Sequence, residues 1–183
     1  MPRSLKFHSL LIALACVSLA ALAADTNIDS GKSTVIATFK QEGVPVDAPF
    51  RKFSGHIVYD AKNAAAATAA IDVVTGSLDI GDESYSAEAR KPAWFDSAKF
   101  PTATFRSTAI KAISASRFDA TGTLSIKGKA VTITVPVSVP ASANAFDGTL
   151  VISRKAFGIG SADWDDVLDD KVSVRFHLVS PGH

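Results

Sequence analysis

The chain has 183 residues, with 19 basic and 18 acidic residues and a formal net charge of +1 at neutral pH. This balance lacks the basic surface that nucleic-acid binding requires, so we expect no nucleic-acid partner. With a single cysteine, Cys16, the chain forms no internal disulfide and depends on a hydrophobic core.

The N-terminal residues predict export. Arg3 and Lys6 precede an apolar stretch over residues 9–22, and Ala21-Leu22-Ala23 supplies the small residues at which signal peptidase cleaves. The stretch is shorter than the about 20 apolar residues of a typical transmembrane helix. We therefore predict a cleavable signal peptide at residues 1–23.

The mature domain, residues 24–183, keeps 17 basic and 18 acidic residues and carries a net charge of −1. Cys16 is removed with the signal peptide. An alternative is lipid attachment at Cys16, because Ala13-Leu14-Ala15 before it faintly resembles an acylation site. Such sites usually carry leucine where Ala13 stands.

The mature domain reads as about eight β-strands, because apolar and polar residues alternate with a period of two. In chain order these predicted strands cover residues 34–41, 53–59, 71–78, 103–108, 123–127, 131–139, 149–154 and 172–178. Pro136 predicts an edge strand or a bulge, since proline has no N–H for a sheet hydrogen bond.

Helix is predicted at one place only, residues 82–95, where Pro92 interrupts it. The alanine run at residues 64–70 has helical propensity, but we interpret it as the approach to the next strand. Residues 161–170 are acidic and predict a loop. Many short strands with one polar and one apolar face indicate a barrel or a sandwich, and the pattern alone does not decide between them.

Four stretches resemble the signatures of the YceI family. They are residues 53–57 (FSGHI), 94–107 (WFDSAKFPTATFRS), 122–133 (GTLSIKGKAVTI) and 154–160 (RKAFGIG). Their order and spacing also fit, and the resemblance covers nearly the whole mature chain. Residues 39–46 (FKQEGVPV) depart from the family, in which many members carry a histidine-containing strand at this place.

The resemblance implies an all-β fold: an antiparallel, eight-stranded, lipocalin-like barrel with one short helix. It also implies a periplasmic location and a lumen that holds a polyisoprenoid or other long-chain lipid. The expected partner is this apolar lipid, with transient membrane or membrane-protein contact; a dimer is left open. No cofactor is expected beyond the bound lipid.

We expect the ligand-binding residues to be apolar side chains that face the lumen. They are Phe39, Phe53, Ile57, Val73, Trp94, Phe95, Phe105, Leu124, Ile126, Ile133, Val135, Phe157, Val174 and Phe176. Trp94 and Phe95 either cover an opening or anchor a helix on the barrel.

Three cations near these residues have two interpretations each. Arg90 and Lys91 either meet a lipid head group or are solvated surface charges. Arg154 forms either a buried ion pair with an aspartate or a contact to the head group.

An enzyme is not predicted. His56, His177 and His183 are the only mature histidines, and neither a zinc-binding nor a nucleophile-elbow motif occurs. No metal site is expected; the aspartates of residues 163–170 lack the spacing of a calcium loop. A module that binds through its outer surface around a filled core, a stress-related role of such a module, and a lipid-acting enzyme whose Ser/His/Asp site comes from distant residues stay open as alternatives.

Overall fold

The computed structural model describes residues 28–60, 63–140 and 144–180. The predicted signal peptide, Cys16 and His183 lie outside these residues. The strands are β1 Thr34–Gln41, β2 Val44–Pro49, β3 Phe53–Val58, β4 Thr68–Val74, β5 Thr102–Ser114, β6 Arg117–Ile126, β7 Lys129–Ser138, β8 Ala145–Ser153 and β9 Lys171–Val179. One α-helix, α1, covers Glu83–Ala89.

All nine strands belong to one antiparallel sheet in the order β2-β1-β9-β8-β7-β6-β5-β4-β3. The sheet curls with its apolar side chains inward, which confirms the antiparallel barrel-like fold. The predicted count of eight was wrong because β2 was missed. That strand contains Pro45, Asp47 and Pro49, which sequence rules place outside strands. Its position at the edge of the sheet tolerates them, since one side of an edge strand needs no N–H donors.

β7 lies between β6 and β8 in the sheet, but its side toward β8 is unpaired at Pro136, so the predicted edge is present locally at this residue. Pro136 lies opposite Asp119 of β6, whereas β8 pairs with β7 only through Val137 and Ser138. The two strands pair at the residues next to Pro136 and no further, so the proline interrupts no β7–β8 ladder. The register shifts lie in β5 instead, between Ser107 and Ala109 and between Ala112 and Ser114.

The edge strands β2 and β3 follow each other in the chain, and the corner between them is covered by a later segment. Val74 N–H donates to Lys52 O at 2.9 Å, Arg51 N–H to Ser77 O at 3.0 Å, and Asp79 N–H to Pro49 O at 2.9 Å. These bonds bring the chain that leads into α1 across the open side of the sheet.

Helix α1 begins at an aspartate cap. The Asp82 carboxylate accepts hydrogen bonds from the N–H groups of Ser84 and Tyr85, which satisfies donors left free by the first helical turn. Pro92 follows the helix by three residues and stops its continuation. The prediction of a short helix is confirmed. The alanine run forms a single 3-10 turn at Ala64–Ala66 and then enters β4 as interpreted.

The inner face of the sheet holds two aromatic side chains flat against its wall. A Cβ at Gly122 would meet the Phe105 ring at 2.7 Å, and one at Gly148 would overlap the Phe176 ring. Glycine at these two positions therefore lets the rings lie across the neighbouring strands and keeps the centre of the barrel free. Among the described residues no helix has both the length and the apolarity to cross a membrane.

Candidate functional site

The curled sheet encloses a cavity of about 520 Å³. This volume lies within the roughly 300–1,000 Å³ of pockets that bury small ligands. All nine strands and the segment from Leu78 to Phe95 contribute to its wall, and most of the lining side chains are aliphatic or phenylalanine. The arrangement suits a ligand that is itself mainly hydrocarbon.

Twelve of the fourteen residues expected to contact a ligand lie on this wall. They are Phe39, Ile57, Val73, Trp94, Phe95, Phe105, Leu124, Ile126, Ile133, Val135, Val174 and Phe176. The period-two pattern brings the ten strand residues together because inward residues of neighbouring strands share one face, whereas Trp94 and Phe95 come from the segment after α1. Their contact with a ligand stays a prediction.

Phe53 and Phe157 do not line this cavity, and their contact with a ligand stays a prediction. Phe53 begins the edge strand β3 and packs against the buried cluster around Ile57. Phe157 is 3% exposed and lies in the turn after β8, where it packs with Ile126 and Ile159 beneath the end of the barrel. Strand periodicity does not extend into a turn, so it gave no guide to the direction of Phe157.

One end of the cavity, which we name the tyrosine end, is lined by Tyr59, Phe118 and Phe146. The Tyr59 ring lies edge-on to both phenylalanine rings, with centroid distances of 5.5 Å in each case. Edge-to-face contacts of this kind stabilise aromatic clusters beyond their buried area. Aromatic packing thus forms the cavity wall at this end.

The other end, which we name the arginine end, comprises Glu88, Trp94, Arg154 and Trp164. It lies at the opposite end of β6, where Ile126 is eight residues or about 26 Å along the strand from Phe118. The two tryptophan rings contact each other at a centroid distance of 5.4 Å. All four residues line the cavity.

Arg154 is the centre of this end and is only 3% exposed. Its guanidinium donates to the Asp165 carboxylate at 2.8 Å. It also donates to four backbone carbonyls, those of Ile159, Trp164, Leu168 and Asp169, at 2.9–3.4 Å. The interpretation of Arg154 as a buried ion pair with an aspartate agrees with this geometry. Its donors are engaged by the loop that follows β8.

The close packing around Arg154 requires glycine at position 160. Its φ of +80° lies in the left-handed region, and a Cβ there would fall 2.8 Å from Arg154 Nη1 and 3.2 Å from the Trp94 ring. Gly160 N–H donates to Ala93 O at 2.9 Å, which joins the loop to the segment after α1. The glycine therefore lets the arginine and the indole approach each other.

Aspartates of this loop are held as carboxylates. The Lys155 ammonium and, more weakly, the Arg154 guanidinium hold the pKa of Asp165 below its usual range. The Ser153 hydroxyl, at 2.7 Å, and the Lys155 N–H do the same for the pKa of Asp170. These carboxylates serve the fold of the loop, and no group of acidic, histidine and cysteine residues suited to a metal ion occurs in the described ranges.

Glu88 and Trp94 provide the remaining polar groups at the arginine end. Lys91 bonds to the Glu88 carboxylate at 2.6 Å and holds its pKa below the usual range, with a smaller contribution from Trp94. Trp94 Nε1 is buried, and no acceptor within the described part of the chain lies in hydrogen-bond geometry with it. The indole is thus near the carboxylate without forming a well-aligned hydrogen bond to it.

The other candidate polar residues lie away from the cavity wall. Arg90 donates to Glu83 at 2.9 Å and to Gly76 O at 3.1 Å on the outside of α1. His56 is exposed on β3, and His177 bonds to Asp147 at 2.6 Å. These contacts agree with the interpretation of Arg90 as a surface charge and of the histidines as exposed or satisfied.

Sequence reasoning missed several wall residues. Tyr59 could have been predicted, because it continues the inward alternation of Ile57. Glu88 carried no signal, since its position depends on how a seven-residue helix crosses the barrel. Trp164 stands in an acidic loop that alternation does not describe.

The chain was compared with known proteins. Residues 27–180 match the family model of the YceI-like domain. A UPF0312 protein of Azotobacter vinelandii is 30% identical over 154 residues, which cover 76% of this chain and 78% of that protein.

Two solved structures extend the comparison. The crystal structure of BcnA from Burkholderia cenocepacia superposes with a TM-score of 0.80 at 40% identity, covering 84% of this chain and 99% of that one. A polyisoprenoid binding domain from Saccharophagus degradans superposes with a TM-score of 0.64 over 86% of this chain and all of that one. At 16% identity the second likeness concerns the fold alone.

Proposed function

The chain belongs to the YceI-like family, and on that basis we propose that it is a periplasmic carrier that holds one long-chain isoprenoid or similar lipid in its barrel. The observation that supports this most is the cavity of about 520 Å³ with its almost wholly apolar wall. The Saccharophagus degradans domain of the same fold, which is described as polyisoprenoid-binding, supports the same ligand class.

The energetics favour tight retention of such a ligand. Burial of one CH₂ group is worth about 0.8 kcal/mol, so one five-carbon isoprene unit contributes about 4 kcal/mol. The loss of chain freedom and of overall motion offsets part of this gain. Release is therefore slow unless a membrane or a partner protein accepts the tail, which fits a carrier between two acceptors.

We propose binding without chemistry. The two charged residues on the cavity wall, Glu88 and Arg154, are each engaged in an ion pair. Lys91 lowers the pKa of Glu88, which makes its carboxylate a weaker base, and Arg154 is held by Asp165 and backbone carbonyls. The cavity also favours a carrier over a surface-binding module, whose barrel would be filled with side chains.

A variant that fills the cavity tests the proposal. Ala120 lies on β6, is buried and lines the cavity. In Ala120→Phe the new ring occupies ligand space, and we expect the affinity for a long-chain isoprenoid quinone to fall by at least about 10-fold. The measurement is a binding titration by native mass spectrometry, with circular dichroism to verify the fold.

The matched control is Thr123→Phe, which adds the same ring to the same strand. Thr123 alternates with the inward Leu124, so its side chain points away from the lumen. We expect this variant to bind within about twofold of the parent chain. Equal affinity of both variants and the parent would mean that the lipid lies outside the cavity.

Export is tested separately by cell fractionation and intact mass. We expect the protein in the periplasmic fraction with residues 1–23 removed. A mature form that begins at an acylated Cys16 would support lipid attachment instead. A full-length cytosolic protein would contradict the carrier's location.

A further inference from the structure

We infer that one face of the barrel docks on a lipid bilayer that carries anionic head groups. This face combines three lysines, Lys99, Lys127 and Lys129, which we name the lysine patch, with an unpaired stretch between β7 and β8. The three lysines lie outside the cavity wall. The partner of this face is thus the bilayer surface itself, whichever lipid the cavity holds.

The unpaired stretch, which we name the β7–β8 gap, comprises residues 129–136 of β7 and residues 149–153 of β8. The two strands pair with each other only at Val137 and Ser138 of β7. Beyond that point, residues 129–136 have ladder partners in β6 alone, and residues 149–153 have them in β9 alone. Each strand therefore has an edge of backbone N–H and C=O groups without a ladder partner.

Apolar side chains border the gap on both sides. Ile133 and Ile152, one from each strand, line the cavity. Val131 is 41% exposed, and Val151 is 63% exposed. Docking at this place brings the hydrocarbon of a bilayer close to the apolar wall of the cavity. Water and head groups at the bilayer surface satisfy the strand edges, which the hydrocarbon interior does not, so the face suits docking and not spanning.

The lysine patch lies at the β6–β7 turn, at one end of the gap. Lys127 Nζ donates to Gly158 O at 2.6 Å, and Lys129 Nζ donates to Ala156 O at 3.1 Å. Both ammonium groups thus reach the turn that follows β8, and both bond there to carbonyls and not to carboxylates.

Lys99 extends the patch. Its Nζ lies 5.2 Å from the centroid of the Phe100 ring, and a Cβ at Gly128 would meet the same ring at 2.9 Å. Phe100 therefore places Lys99 beside the β6–β7 turn. In the described ranges none of the three lysines forms an ion pair.

The charges around the patch favour an anionic partner. Burial lowers the pKa of Lys127, the charge of Asp96 partly offsets this effect, and the charge of Lys129 adds to it. Lys127 and Lys129 therefore repel each other, and a nearby anion relieves this repulsion. Lys155, in the turn that both contact, is already paired with Asp165. The phosphates of anionic lipids supply such negative charge, and the exposed valines favour a bilayer over a soluble anion.

Vesicle binding tests the docking face. The protein is titrated with phosphatidylcholine vesicles that contain or lack phosphatidylglycerol, and bound protein is separated by flotation. We expect binding to the anionic vesicles only, and we expect it to weaken as salt is raised to about 0.5 M, because salt screens exposed charges. Equal binding to both kinds of vesicle, or binding to neither, would overturn the docking face.

Substitution of the patch locates the contact. One lysine next to an anionic leaflet strengthens binding about fivefold, so Lys99→Gln, Lys127→Gln and Lys129→Gln together should weaken vesicle binding about 100-fold. The glutamine amides retain N–H donors, and circular dichroism verifies the fold.

The matched control replaces three exposed lysines elsewhere by glutamine: Lys40, Lys52 and Lys111. This variant loses the same charge and should keep its vesicle affinity within about threefold, because charges beyond a Debye length from the bilayer are screened. An equal loss in both variants would mean that overall charge, and not this face, attracts the bilayer.

Hydrogen exchange of the parent chain covers the case in which the patch variant does not fold. With anionic vesicles, amides of residues 127–136 and 154–158 should gain protection, while those of residues 111–117, at the far end of β6, should not. Protection of residues 129–136 without vesicles, together with a dimer in native mass spectrometry, would assign the gap to a second copy of the chain and overturn the bilayer.

Binding in the cavity is measured apart from docking. The patch variant should bind an isoprenoid quinone within about twofold of the parent chain, because its three altered side chains lie outside the cavity wall. Quinone binding without vesicle binding overturns the docking face and leaves the carrier proposal in place. Vesicle binding through the patch without uptake of any lipid into the cavity supports the docking face and contradicts the carrier proposal.

Discussion

Different forces stabilise the two ends of the cavity. At the tyrosine end, Tyr59, Phe118 and Phe146 pack as aromatic rings. At the arginine end, the buried Arg154 organises a whole loop through one carboxylate and four carbonyls. Apolar packing is non-directional, whereas hydrogen bonds fix the positions of the groups that they join. The two ends of the barrel are therefore chemically different.

The largest expected effect is at the arginine end. Arg154→Ala leaves several buried carbonyls without their donor and Asp165 with Lys155 alone, and we expect a loss of about 3–5 kcal/mol in the free energy of unfolding. Urea unfolding followed by circular dichroism measures it. Arg117→Ala, at an exposed position on β6, is the control and should change stability by less than about 0.5 kcal/mol. A loss below about 1 kcal/mol for Arg154→Ala would show that the loop does not depend on this residue.

A smaller effect is expected at the tyrosine end. Phe146 is 8% exposed, and Phe146→Ala removes its ring contacts. We expect a loss of about 3 kcal/mol, near the lower limit for buried phenylalanine, because one side of the ring already borders the cavity. Val151→Ala on the same strand is the control, since Val151 is 63% exposed. If the two variants are equally stable, the aromatic cluster does not stabilise the fold.

The smallest expected effect is on the stability of the fold at low pH. Because the folded pKa values of Asp165 and Asp170 lie below the ordinary 3.8, these groups stabilise the fold above about pH 3.8. This contribution is lost as the pH falls through the lower folded values. We expect hydrogen exchange in residues 154–170 to accelerate there before that of the tyrosine end does.

Asp170→Asn separates the charge of this residue from its hydrogen bonds. The amide oxygen still accepts from Ser153 and from the Lys155 N–H, but it does not titrate. We expect a shallower loss of stability as the pH falls below about 3.8, because the folded pKa of Asp170 lies below this ordinary value. If the midpoint of urea unfolding falls with pH as steeply as in the parent chain, the charge of Asp170 does not contribute to the loss of stability in acid.

Much of the fold was accessible from alternation alone. Strands with clear alternation, such as β7 and β9, follow from the spacing of valines and threonines, because each half-buried strand has one face of each kind. β2 was not accessible, since Pro45 and Pro49 oppose a strand by every local rule. Only its place at the edge of the sheet, a property of the assembled fold, makes it possible.

The residues of the cavity wall also divide into those that alternation predicts and those that it does not. Inward strand residues such as Leu124 and Val174 follow from periodicity, and the structure places them on the wall. Glu88 and Trp164 do not, because a helix crossing and a loop conformation bring them there. The polar groups that distinguish one end from the other were thus the part that sequence could not supply. They depend on contacts such as that between Gly160 and Arg154.

The most direct test of the carrier proposal is native mass spectrometry of the mature protein, gently purified from the exporting cell and then extracted with solvent. We predict one extra mass per chain that extracts as a prenyl or similar long-chain lipid. A clean apo mass, together with no uptake of isoprenoid quinone or fatty acid on incubation, would contradict the account and favour a module that binds through its outer surface.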